Sequence, residues 1–381
     1  MAQMKTVTKW PYWVTQHGNE ILLHDEDFKS HSVLDWYTDV GVNSFLSAPD
    51  WLRTILRQVP PVHVPHILMS QPRAHLAHML CGIHDMDEVF FSNDGTEAVE
   101  TTIKLARKWH YDQHSEKVYI WAQDAAFHGR TYGALSATFT AGVSPYHHDG
   151  FGPEVPNFKS FKRIEDIDFA LAQAVIISPI FGNNDVIPIK KEVLQRLRHR
   201  CDSSNTLLIF DEVQSGMGRC GDWSAASLYG IKPDIMCFAK GIAAGMPLGA
   251  TLARKEYCSL TPGSHFNTFG GNNISCLMAL KVIEELDGTG KMDTIVGMGH
   301  WLAGELMYVE GVKEVRQVGL MLALDTEFDS RAFGDIAIKH GLLCGSFRSN
   351  TLKIYPPLDM SLSAMKEALY RFKNAVKEVM S

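Results

Sequence analysis

The sequence predicts an α/β protein of two packed units. One is a large domain with a mostly parallel central sheet flanked by helices; the other is a smaller α+β domain built from both chain ends. Three observations carry this. Between about residues 87 and 240, short apolar runs alternate with helical patterns, the order expected of β-α-β units. The run TLLIFDEV, 206–213, is almost continuously apolar, as in a strand covered on both faces. The first 45 residues and those after about 290 instead hold short strands, helices and aromatic clusters. The expected boundaries are 1–45 and 286–381 for the two parts of the small domain and 46–285 for the large one.

Within the large domain, DEVFFS at 87–92 reads as a strand. TEAVETTIKLARKWH at 96–110 reads as a helix, with Val99, Ile103 and Ala106 on one face. Strands follow at 118–122 (VYIWA) and 174–180 (AVIISPI), a helix at 191–200 (KEVLQRLRHR), and strands at 206–213 and 233–240 (PDIMCFAK). No internal repeat or low-complexity linker interrupts the pattern.

The chain has 381 residues, more than one core of about 150 residues would use. With 45% apolar and 21% charged residues it is neither disordered nor collagen-like. Its net charge of −7 and lack of a dense basic tract argue against a nucleic-acid-binding face. No apolar run approaches the roughly 18–20 residues of a membrane helix, and the N-terminal stretch has no signal-peptide pattern, so a cytoplasmic location is expected. The seven cysteines are widely spaced without a C-x-x-C pair and read as reduced thiols. His75 and His78 stand three apart with His84 nearby, but no acidic or Cys partner has ligand spacing, so no metal is expected.

Four segments end predicted strands or follow them, and in an open α/β sheet ligands bind off the carboxyl ends of the strands. In SNDGTEA, 92–98, a strand stops, Gly95 permits a tight turn and a helix starts. A helix start favours a phosphate, although Asp94 with Glu97 also makes an ordinary capping box. In AAFHGRT, 125–131, Phe127 has a face to stack on a planar ring and Arg130 a fork to hold a carboxylate; a core Phe and a surface Arg are the plainer alternative. In IFDEVQSGMGR, 209–219, Asp211 ends a fully apolar strand, where a carboxylate needs a partner: a protonated ring nitrogen or a nearby Arg. In CFAKGIAAGMPLGA, 237–250, Lys240 ends an apolar strand among Gly241, Gly245 and Gly249. Desolvation there lowers an amine's pKa and makes it a Schiff-base nucleophile, the alternative being a lysine that snorkels to water. A phosphate cradle, a stacking aromatic, an acid for a ring nitrogen and a nucleophilic lysine together are what pyridoxal 5'-phosphate requires.

The chain resembles the class III (ornithine/acetylornithine-type) aminotransferases of the fold type I pyridoxal-phosphate enzymes. The carriers are FFSNDGTEAVETTIKLARK, DAAFHGRTYGALSAT, LLIFDEVQSGMGR, GIKPDIMCFAKGIAAGMPLGA and HFNTFGGNNISCLMAL, with 29 residues from Asp211 to Lys240. DWYTDVGVNSFL at 35–46 is a fainter match. The resemblance implies Lys240 as the Schiff-base lysine and proton shuttle, and Asp211 as partner of the pyridine nitrogen. It implies Phe127 and Val213 on the two faces of the ring, Gln214 on its phenolic oxygen, and Gly95 and Thr96 on the phosphate. Thr268 would reach the phosphate site of a neighbouring subunit, which implies a homodimer. Arg130 matches a carboxylate-binding arginine.

Two departures fall on the substrate side. Where the family reads EP-x-QGE, this chain reads SPIFGNN at 178–184, so Asn183 replaces the gating Glu. Where the family reads R-F-x-P-x-L, LKIYPPL at 352–358 places Lys353, which lacks the bidentate fork of arginine. The implied activity moves an amino group from an amine or amino acid of the acetylornithine or ornithine kind to an oxo acid such as 2-oxoglutarate. A decarboxylase, lyase or aminomutase using the same cofactor is the alternative within enzymes; a catalytically inactive binding or scaffold homologue is the alternative outside them.

Overall fold

The structure, a computed structural model, describes residues 13–17, 20–24, 30–57, 64–65, 68–140, 148–182, 185–348 and 350–381. A seven-stranded sheet forms its centre. In chain order its strands are β1 (Glu88–Ser92), β2 (Tyr119–Gln123), β3 (Phe158–Phe161), β4 (Ala172–Ile177), β5 (Leu207–Asp211), β6 (Ile235–Phe238) and β7 (Gly249–Ala253). They lie side by side as β1-β7-β6-β5-β4-β2-β3. β7 runs antiparallel to both its neighbours, and the other pairings are parallel. Every residue of β5 and β6 is buried, as apolar runs covered on both faces require; the one charged residue among them is Asp211 at the end of β5.

One expectation is corrected and one strand is added. The strand expected at 174–180 ends at Ile177, because Pro179 cannot donate to a ladder; Ile180–Phe181 then pairs with Ile187–Pro188 in a hairpin of its own. The seventh strand, β7, lay hidden in the glycine-rich run after Lys240.

The helix after β1 is α1 (Gly95–Asp112), with Asp94 as N-cap accepting from the Glu97 N–H at 2.8 Å. The Glu97 carboxylate closes the turn one residue earlier than a capping box would, taking the Asn93 N–H at 2.8 Å.

Both chain ends share a second core. An antiparallel sheet of β8 (Val312–Val318), β9 (Met321–Thr326), β10 (Gly345–Arg348) and β11 (Thr351–Ile354) carries the long helix α2 (Leu362–Met380). Leu34 and Trp36 from the N-terminal segment pack with Leu324, Phe333, Ile354 and Phe372 in this core. The strand Ser30–Asp35 pairs with Leu342–Leu343, which fixes the N-terminal segment to the C-terminal one.

Glu212, the residue after β5, turns away from the sheet's carboxyl edge. It is buried, and its carboxylate accepts from Ser215 Oγ and from the backbone N–H groups of Ala225 at 3.0 Å and Ala226 at 2.8 Å. Burial pushes its pKa from the ordinary 4.5 up to about 7, against the pull of those donors. A raised folded pKa contributes stability that is full below the unfolded value and fades as pH rises through 7. Glu212→Ala orphans the buried donors and should cost about 3 kcal/mol or more. Urea unfolding of the two proteins checks this, and the cost should be larger near about pH 5 than near about pH 8.

Candidate active site

A cavity of about 580 Å³ opens at the carboxyl edge of the parallel strands, where β1, β5 and β6 end. The four segments singled out in the sequence meet there: Asn93 to Thr96, Phe127 to Arg130, Asp211 with Val213 and Gln214, and Ala239 with Lys240 all line it. The other wall is apolar, with Val42, Ile180, Phe181, Met246 and Leu248.

Lys240 follows β6 after one residue and opens a short 3₁₀ turn, Lys240–Ala243. Its φ of +50° is left-handed, a conformation that costs a non-glycine residue about 1–2 kcal/mol and turns the side chain off the strand axis. Burial lowers its amine from the ordinary 10.5 to about 8; Asp211 and Asp39 oppose this, while Arg130 adds to it. A sizeable fraction of the amine is therefore neutral near pH 7–8, as a nucleophile requires.

Asp211 is the last residue of β5, 6% exposed. One carboxylate oxygen accepts the Val213 N–H at 3.0 Å, and the other meets His128 Nδ1 at 2.7 Å. The buried carboxylate thus has a histidine as its protein partner, not an arginine. Sequence reasoning missed His128, although its place beside Phe127 and the need of Asp211 for a partner were both legible.

The helix start is brought tight against Val213, two residues after this carboxylate. A Cβ on Gly95 would lie 2.8 Å from a methyl of Val213, and one on Gly129 would lie 2.2 Å from Thr96 Oγ1. Gly129 also has φ +137°. The loop 127–130 can therefore close over the first turn of α1, where the Arg130 N–H donates to Thr96 Oγ1 at 3.2 Å. The first N–H groups of an α-helix have no intrahelical acceptor, so those of Gly95 and Thr96 make an anion cradle. The Arg130 guanidinium lies over the Phe127 ring, 5.0 Å from its centroid.

These features fit pyridoxal 5'-phosphate: an amine of lowered pKa, a carboxylate fixed by a second group, a glycine-tight helix start and an aromatic ring share one cavity. The remaining sequence candidates are not all there. Lys353 is fully enclosed within β11, opposite Ala323 of β9 and Gly345 of β10, and does not line the cavity. It stands two residues, or about 7 Å of strand, short of Tyr355, whose hydroxyl reaches Gln214. Thr268 is exposed on this chain and outside the lining. Asn183 lies outside the described residues. Among the described residues no group of three or more His, Cys, Asp or Glu could hold a metal ion, and no helix is long and apolar enough to cross a membrane.

The sequence pattern of the family described as aminotransferase class-III matches residues 26–376. The acetylornithine aminotransferase of Clostridium acetobutylicum is 34% identical over 94% of this chain and 95% of that one. The acetylornithine aminotransferase of Aquifex aeolicus is 36% identical over 92% and 96%. Among solved structures, an ornithine aminotransferase of Toxoplasma gondii with pyridoxal phosphate partly occupying its active site superposes with a TM-score of 0.87 at 24% identity, covering 100% of this chain and 93% of that one. The N-acetylornithine aminotransferase of Stenotrophomonas maltophilia gives 0.81 at 24% identity, covering 98% and 97%. At such identities the structures speak for the fold.

The lowered pKa of Lys240 has a direct consequence. The rate at which the cofactor-free protein takes up pyridoxal phosphate covalently should rise with pH and level off above about 8, because the neutral amine is the reactant. Stopped-flow absorbance over a pH series measures it; a midpoint left near the ordinary 10.5 contradicts the buried-amine reading.

Proposed function

The chain belongs to the class III aminotransferases and uses pyridoxal 5'-phosphate, and from that premise we propose that it moves an amino group from a donor of the acetylornithine or ornithine type to an oxo acid such as 2-oxoglutarate. The observation that carries the substrate reading is the Arg130 guanidinium, held at the cavity over Phe127 with Lys240 on the same lining. Of the three residues expected to meet substrate, Arg130 is the one placed at the cavity among the described residues, so it takes the carboxylate.

The bound cofactor supplies an electron-withdrawing ring that takes up the electron pair of the bond broken at the amine-bearing carbon. In this reading the protein's groups do the rest. Gly95 and Thr96 hold the phosphate through backbone N–H groups at the start of α1, where the helix dipole favours an anion. Phe127 and Val213 bind the two ring faces. Asp211, oriented by His128 and the Val213 N–H, holds a proton on the ring nitrogen. Gln214 donates to the ring oxygen. Lys240 Nζ, an amine that spends time neutral, would take and return the proton at the substrate carbon. The apolar wall of Val42, Ile180, Phe181, Met246 and Leu248 keeps water from competing for that proton.

We further propose a homodimer in which Thr268 of the partner subunit completes the phosphate site, a role compatible with Thr268 being exposed and away from the cavity of its own chain. The seven free cysteines suit a reducing compartment such as the cytoplasm.

Arg130→Ala removes a charge-assisted contact worth about 1.5–3 kcal/mol and should lower kcat/KM for a dicarboxylate acceptor about 10- to 150-fold. Half-reactions with 2-oxoglutarate measure it, and an unchanged value places the carboxylate elsewhere. Thr268→Ala should weaken cofactor retention without dissociating the dimer, since it removes a phosphate contact and little buried surface. Sedimentation velocity with cofactor absorbance separates the two, and a fully saturated, active monomer contradicts the shared site.

A further inference from the structure

Gln214 lines the cavity, and its amide has two chemically opposite faces: an oxygen that accepts and an –NH₂ that donates. Which face is turned inward decides what Gln214 does to a bound ring. The oxygen is turned toward the wall. A Cβ on Gly182 would lie 1.8 Å from Gln214 Oε1 and 2.7 Å from its Cδ, so the amide is pressed against the bare Cα of Gly182.

Behind this amide stands Tyr355, which follows β11 and is fully buried. Its hydroxyl lies 3.5 Å from Gln214 Oε1 and 3.4 Å from the Gly182 carbonyl oxygen, sharing one proton between two acceptors. Burial pushes that hydroxyl well above the ordinary tyrosine range, so it remains a donor. Its backbone is fixed on both sides: the Tyr355 N–H donates to the Trp36 carbonyl at 2.6 Å, and Thr38 Oγ1 donates to the Tyr355 carbonyl at 2.7 Å. The ring packs with Ile180 of the cavity wall and with Met321 and Ala323 of β9.

We propose that Tyr355 is a positioning residue that holds the Gln214 amide oxygen against the wall and thereby turns the –NH₂ into the cavity, toward the ring oxygen of the bound cofactor. The proposal rests on the role given to Gln214 above. It makes the small domain, through one hydroxyl, part of the apparatus that tunes the cofactor.

A donor on the ring oxygen stabilises the form with more negative charge there, so its loss raises the pH at which the bound cofactor's visible absorption titrates. The experiment compares the holoenzyme with Tyr355→Phe, Gln214→Ala and the double variant, reading that absorption midpoint and the affinity of the apoprotein for pyridoxal phosphate. Tyr355→Phe should raise the midpoint by about half to one pH unit, the worth of one ordinary hydrogen bond. Gln214→Ala should raise it at least as far, and adding Tyr355→Phe to Gln214→Ala should add nothing. Gly182→Ala, which displaces Oε1, should shift the midpoint the same way. A merely structural role would lower Tm and leave the midpoint in place. If Gln214→Ala moves the midpoint and Tyr355→Phe does not, or moves it downward, the proposal is overturned while the role of Gln214 stands. If Gln214→Ala itself moves nothing, the role of Gln214 fails and the proposal with it.

Discussion

Bringing an amine and a carboxylate together at one largely apolar cavity is the constraint on which the rest of the molecule depends. Desolvation makes Lys240 reactive, and it also makes any charge there expensive. The fold answers with position. Asp211 and Lys240 come from adjacent parallel strands, β5 and β6, whose apolar residues need cover on both faces. That cover is what dries the strand ends. The carboxylate is then given two partners, His128 and the Val213 N–H, so that its place does not depend on a water molecule. Glu212, the next residue, is directed to the other side and spent on capping the chain at 225–226, which keeps a second carboxylate out of the cavity.

Such a site leaves no room for side chains at its seams. Three glycines mark the seams: Gly95 against Val213, Gly129 against Thr96 and Gly182 against Gln214. In each pair a missing Cβ lets one cavity segment rest on another, and the partner is a residue that lines the cavity. The positions of the chemical groups are thus set by backbone-to-side-chain contact, which is stiffer than contact between two long side chains. The φ of +50° at Lys240 belongs to the same economy, since it is held in place by closely packed neighbours: Gly241 lies against the Gly41 carbonyl, and Ser44 Oγ donates to the Gly241 carbonyl at 3.2 Å.

Much of this was legible in the sequence because it is local. Strand ends, the helix start at Gly95 and the odd lysine after an apolar strand are all visible as short patterns. What escaped reading is non-local or needs an angle. β7 is antiparallel and glycine-led, so it lacks the apolar signature of its neighbours. The contact of His128 with Asp211 joins residues 83 apart in the chain. Tyr355 and Gln214 are 141 apart, and Tyr355 sits in a cluster that joins Ile180 and Cys220 to Met321 and Ala323 of β9. Lys353 shows the converse: a family pattern placed it by alignment, while burial inside β11 keeps it off the cavity surface.

The small domain is tied to the cavity through polar groups as well as through packing. Arg219, on the loop after Gln214, is buried with its guanidinium 6.0 Å from the Tyr355 ring centre. It donates to the Pro356 carbonyl at 2.6 Å and the Leu320 carbonyl at 3.1 Å. Burial lowers it from the ordinary 12.5 to about 10, with Tyr355 and Asp35 opposing. Asp35 in turn accepts the Tyr37 and Thr38 N–H groups at 2.8 and 2.7 Å. Segments from both chain ends and from the loop carrying Gln214 therefore converge on one buried polar cluster. Parting these segments would orphan buried donors and acceptors, at about 1–3 kcal/mol for each group left unsatisfied. That coupling makes the placement of the chain ends a condition of the cavity's shape, since Tyr355, which follows β11, packs against Ile180 of the cavity wall.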